Sequence, residues 1–135
     1  MKQYSIFISH SWAYEDNYER LVKMLKNDPR FNFKDYSVPK DDPIHNAPNS
    51  IALTAAIQNQ MRFCDVIIML AGVYSTYSIW INKEINIAKG FTIPKPILAI
   101  EPFASERTSQ VVKDNADKIV KWNTGSIVSG IRELA

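Results

Sequence analysis

Residues 65–71 read Asp-Val-Ile-Ile-Met-Leu-Ala, an apolar run from Val66 to Leu70 with no polar side chain inside it. A strand with one wet face alternates apolar and polar residues. An unbroken run needs cover on both faces, which is the situation of a central strand in a parallel sheet with helices on either side. The rest of the chain must therefore supply further parallel strands and two layers of helix.

It does so in alternation. Short apolar runs at 4–9 and 96–100 read as buried strands. Residues 31–38 alternate in part and read as a strand near an edge, and 118–122 reads as a last short strand. Between them, Leu21, Val22 and Leu25 follow Tyr18 at helical spacing over 13–27, and Asp28-Pro29 ends that helix. Residues 50–63 read as a helix with Ile51, Ala55, Ile57 and Met61 inward. Residues 75–90 read as another, with Ile81, Ile85 and Ala88 inward and Gly90 as a C-cap. A short helix over 110–116 and a last one over 126–134 complete the order βαβαβαβ(α)βα. This alternation predicts a flavodoxin-like α/β fold, a parallel five-stranded sheet of order 2-1-3-4-5 with helices on both faces. The chain, 135 residues long, is read as one domain over 1–135.

In such a sheet ligands bind off the carboxyl ends of the strands. Here those ends are 9–12, 38–49, 71–78 and 101–109. Lys plus Arg number 16 and Asp plus Glu 14, a net charge of +2, which gives no support to a dedicated nucleic-acid binder. The one cysteine, Cys64, makes neither an internal disulfide nor a thiolate zinc cage, and no metal site is expected. No secretory segment follows Met1 and no apolar run nears membrane-spanning length, so the chain is expected to be soluble and cytoplasmic, with no membrane partner.

Three groups of residues at those strand ends carry chemistry. Ser9-His10-Ser11-Trp12 offers hydroxyls and backbone N–H groups at a strand-to-helix turn, suited to a phosphate or, more plainly, to capping the helix. No glycine-rich dinucleotide or Walker loop is present, and His10 and His45 lie in different loops. In the second group Trp80 and Glu84 are i and i+4 on one helix face, where a carboxylate beside an indole can hold sugar hydroxyls. By spacing alone, a surface glutamate near Lys83 and Lys89 is the stronger reading. The third group, Glu15, Asp16, Asp41 and Asp42, does not sit where a phospho-acceptor receiver would need its acids, and Asp41-Asp42 reads as solvated loop.

Together the pieces resemble a TIR domain. The residues that carry the likeness are Ile6-Phe7-Ile8-Ser9-His10-Ser11, then Cys64-Asp65-Val66-Ile67-Ile68-Met69-Leu70, then 74–78 with Trp80 and Glu84 in a Ser-x-Trp-x-x-x-Glu pattern. The opening Phe-Ile-Ser-His-Ser-Trp is similar to the prokaryotic TIR-like group that includes the signal-producing TIR proteins of Thoeris anti-phage defence. Many TIR domains have Arg where this chain has His10-Ser11-Trp12, and a glycine-rich signature that its 39–45 loop lacks.

The resemblance implies an NAD-consuming enzyme that cleaves the nicotinamide N-glycosidic bond, with NAD as substrate and no cofactor. Glu84 takes the place of the catalytic glutamate. Ser9, His10 and Ser11 fall on the dinucleotide loop, Trp80 walls the cleft, and 38–49 falls on a gating loop. The resemblance further implies a cyclic ADP-ribose isomer as a defence signal, self-association through TIR surfaces, and an effector reached through that diffusible nucleotide. Two other readings stay open: a non-catalytic TIR-type interaction module, and a nucleoside deoxyribosyltransferase-like enzyme.

Overall fold

The computed structural model describes residues 2–9, 17–36, 50–70, 78–101 and 110–135. Five strands and five helices alternate: β1 (Gln3–Ile8), α1 (Asn17–Lys26), β2 (Asn32–Asp35), α2 (Ser50–Met61), β3 (Val66–Leu70), α3 (Ser78–Gly90), β4 (Ile97–Ile100), α4 (Gln110–Asn115), β5 (Lys118–Val120) and α5 (Thr124–Leu134). The strands form one sheet in the order β2-β1-β3-β4-β5. Every pairing is parallel, with Phe7 opposite Ile67 and Ile67 opposite Ile97. The fold is the expected flavodoxin-like, TIR-type one. β3 is the central strand and β2 an edge, and Ile6, Ile67 and Leu98 are completely buried.

The period-two alternation of side chains divides the interior into two cores. Ile6, Ile8, Val66, Ile68, Leu98 and Ile100 face Leu21 and Leu25 of α1 and Ile127, Val128 and Ile131 of α5. Phe7, Ile67, Met69, Ile97 and Ala99 face Ile57 and Met61 of α2, Ile85, Ile87 and Ala88 of α3, and Val112 of α4. The sheet is thus covered on both sides, as the run at 66–70 demands. Aspartates fasten the strand starts: Asp65 accepts the Ser5 N–H at 2.9 Å and Asp117 accepts that of Ile97 at 2.8 Å. Cys64 lies beneath α2, and burial pushes its thiol pKa up to about 12, so it stays protonated.

Three expectations are corrected. In α2, Ile57 and Met61 are buried, but Ile51 is 81% exposed and Ala55 is exposed. Ile51 and Ile57 are six residues apart, which places them about 240° apart around the helix. The helix carries two apolar lines and only one can meet the sheet. Gly90 closes α3 without a left-handed cap, since no described glycine has positive φ. The helix end is satisfied instead by the Lys95 N–H, which donates to the Ala88 carbonyl at 2.9 Å. α5 begins two residues earlier than the apolar pattern suggests, because the Asn123 side chain caps it by accepting the Ser126 N–H.

α5 packs closely on the sheet at Gly130, where an added Cβ would stand 2.9 Å from Leu98 Cδ1 and 3.3 Å from Leu98 Cδ2. Leu98 is fully buried, so its methyls can yield only by displacing packed neighbours. Gly130→Ala is therefore expected to destabilise the protein by roughly 1–2 kcal/mol, overpacking outweighing the gain in helix propensity. Urea titration checks this, and an unchanged or raised midpoint would contradict the packing.

Candidate functional site

The sheet order makes one position special. From β1 the chain crosses to β2 on one side, while β3, on the other side of β1, leads away to β4 and β5. The crevice at such a reversal, beyond the carboxyl ends of the strands, is the usual ligand site of open α/β sheets. Ser9 stands at that point. Its backbone N–H donates to the Ile68 carbonyl at 2.8 Å and so extends the β1–β3 ladder by one residue. Ser9 also continues the odd-numbered series of Phe7, so its side chain falls on the α2/α3 side of the sheet.

Glu84 approaches from that side. It lies two turns into α3, in a stripe of buried residues with Ile85, Ile87 and Ala88, while Asn82, Asn86 and Lys89 are exposed. The Ser9 hydroxyl donates to Glu84 Oε1 at 2.8 Å across 75 residues of sequence. Ser9 is 1% exposed and Glu84 0%. The reading of Glu84 as a solvated surface residue paired with Lys83 or Lys89 is thereby overturned. Glu84 points at the sheet, whereas Lys83 Nζ donates to Thr54 Oγ1 at 3.3 Å on the outer side. A carboxyl group with no exposed surface is costly to bury, and such groups concentrate where a protein does chemistry.

Of the residues singled out by sequence, Ser9 and Glu84 are brought together. Trp80 belongs to α3, one turn before Glu84, and its side chain lies outside the described residues, as do His10, Ser11, Glu15, Asp16, Asp41, Asp42, His45 and the loop 38–49. Among the described residues, no group of three or more potential metal ligands occurs and no helix is long and apolar enough to cross a membrane. What the sequence did not reveal is the direct Ser9–Glu84 bond. Its signal was present in parity, an odd-numbered serine one residue beyond a buried strand.

Two solved structures and one family model resemble this chain. The IL-17 receptor B SEFIR domain superposes with a TM-score of 0.56 at 10% identity, covering 98% of this chain and 94% of that one, a likeness of fold alone. The CMP N-glycosidase BcmB of Clostridium botulinum gives a TM-score of 0.49 at 12% identity, covering 97% and 99%. No curated protein matches significantly in sequence. The family model of the Thoeris protein ThsB, TIR-like domain, matches residues 7–107, most of the chain and both members of the Ser9–Glu84 pair. The chain belongs to the Thoeris ThsB TIR-like domain family.

Proposed function

We propose that this protein cleaves the N-glycosidic bond between nicotinamide and ribose in NAD, with Glu84 as the catalytic carboxylate. The observation that carries the reading is the buried Glu84 carboxyl group, bonded to Ser9 at the β1/β3 switch point. Membership of a family named for Thoeris defence supports it further.

The chemistry asks little of the protein beyond charge and shape. Nicotinamide in NAD is a cationic pyridinium. When the bond to the ribose C1′ breaks, the electron pair goes to the ring nitrogen and nicotinamide leaves neutral. Positive charge then develops on the ribose, as in glycoside hydrolysis. Glu84, ionised, stabilises that charge and holds ribose hydroxyls, with the Ser9 hydroxyl fixing its direction. The bond to C1′ is completed by water, which loses a proton and gives ADP-ribose. Alternatively an atom of the same NAD molecule attacks and loses its proton, giving a cyclic ADP-ribose isomer. We favour the cyclic product, a diffusible signal read by an effector protein. Ser11 and His10 follow Ser9 and would meet the dinucleotide, and Trp80 would wall the cleft.

Glu84 has no exposed surface, so the ribose reaches it only when the site opens. Activation by side-by-side association of TIR surfaces supplies such a trigger. Activity per molecule is then expected to rise with protein concentration or crowding. A flat dilution series on an active preparation would remove this part of the reading.

Glu84→Gln keeps the shape and removes the charge. It is expected to leave a folded protein whose NAD cleavage falls about 100-fold or more, followed by mass spectrometry of the products. Glu19→Gln, on an exposed position of α1 across the sheet, is expected to retain activity. Wild-type turnover in Glu84→Gln would remove the site assignment, and an inactive wild type at every concentration would favour a non-catalytic interaction module. Ser9→Ala removes a buried hydrogen bond to the Glu84 carboxyl group and should cost roughly 0.5–3 kcal/mol of stability, measured by denaturant titration, with a smaller loss of rate than Glu84→Gln.

A further inference from the structure

The outer surface of the α2/α3 layer is basic. Residues 50–64 and 78–96 contain four cations, Arg62, Lys83, Lys89 and Lys95, and one acid, Glu84, which is turned inward and fully buried. None of the four cations forms an ion pair among the described residues, whereas Lys118 and Lys121, at and just beyond β5, pair with Glu133 and Glu101. Those two segments thus carry a net charge of +3, with their one acid turned inward. Ile51 of α2 is 81% exposed, and Ile93, beyond α3, 82%.

A groove of about 290 Å³ runs between the two helices, lined by Thr54 and Gln58 of α2, Lys83, Asn86, Ile87 and Gly90 of α3, and Phe91. Ile87 is buried and Phe91 half-buried, so its floor is apolar. Lys95 Nζ lies 5.4 Å from the Phe91 ring centroid. Gln58 and Asn86 each offer an N–H₂ donor and a carbonyl acceptor. Such a pair matches the N–H and C=O of a peptide main chain. A phosphodiester backbone brings acceptors only and would leave the carboxamide oxygens unused.

We propose that this groove is a docking site for an acidic peptide segment of a partner protein. One large apolar side chain of the segment sits on Ile87 and Phe91, its main chain bonds Gln58 and Asn86, and its carboxylates meet Lys83, Lys89 and Lys95. Complementary charge of this kind sets association rate and salt dependence, and the apolar anchor sets residence time.

The full-length protein, panned against a random dodecapeptide display library, tests the proposal. Enriched peptides are expected to combine several Asp or Glu with one large apolar residue. A synthetic consensus peptide should bind with an affinity that falls about tenfold or more in Lys83→Glu and drops as salt rises. Lys89→Glu, at an exposed position, keeps the test available where Lys83→Glu fails to fold, and thermal melting reports folding of each. Binding should survive in Glu84→Gln, which separates this surface from the proposed catalytic site. Enrichment no greater than on the charge-reversed variant, or of neutral or basic peptides, would overturn the proposal. So would Lys83-dependent binding of single-stranded DNA or anionic lipid vesicles in the absence of peptide binding.

Discussion

A parallel strand buried on both faces has no solvent side on which to place a polar residue, and β3 imposes that condition on everything around it. Its neighbours must be parallel, its connections must be helical crossovers, and those helices must fall on both sides. The strict alternation along β1, β3 and β4 then sorts every core side chain by parity. Even-numbered residues of β1, β3 and β4 meet α1 and α5, and odd-numbered residues meet α2, α3 and α4. The site obeys the same rule. Ser9 faces α3 because it is the next odd residue after Phe7, one position past the end of β1.

That placement explains how the fold tolerates a carboxyl group in its interior. The apolar surroundings of Glu84 make burial unfavourable, by several kcal/mol for an ionised group. A hydrogen bond to a charged acceptor offsets about 1.5–3 kcal/mol of this. The Ser9 hydroxyl is held for that purpose by a backbone that is itself anchored to Ile68. The Ser9 side chain thus links the carboxylate to the rigid sheet. A loop serine would have to lose rotational freedom to make the same bond, whereas Ser9 is ordered by the ladder before the bond forms.

How much of this was legible in sequence follows from how each residue is buried. The strands at 66–70 and 97–100 announce themselves because both faces are apolar, and α1 because its apolar residues form a single stripe. α2 is legible as a helix but not in its inward face, because Ile51 with Ala55 and Ile57 with Met61 are two stripes of similar character. Only the position of the sheet selects the second. Glu84 was legible as a member of a Ser-x-Trp-x-x-x-Glu pattern and illegible in its burial. Residues Lys83 and Lys89 beside it make a solvated helix face the natural reading, and nothing local says that position 84 alone turns inward. Rotation of α3 is set by Ile85, Ile87 and Ala88 meeting the sheet, and Glu84 is carried inward with them.

The same rotation links the two surfaces of α3. Residues 83 and 84 are about 100° apart around the helix, so Lys83 and Asn86 line the outer groove while Glu84 meets Ser9. One rigid element therefore separates the groove from the buried carboxylate, and the Lys83–Thr54 bond ties it to α2. A hydrogen bond at 2.8 Å is near the centre of its favourable range, and a displacement of under an ångström takes it outside that range. Any ligand seated between α2 and α3 bears on the element that positions Glu84. Because α3 is packed against the sheet along Ile85 and Ala88, its outer and inner faces belong to one closely packed element. The groove and the Ser9–Glu84 pair are thus two faces of one helix, held to α2 by the Lys83–Thr54 bond on the outer side and to the sheet on the inner.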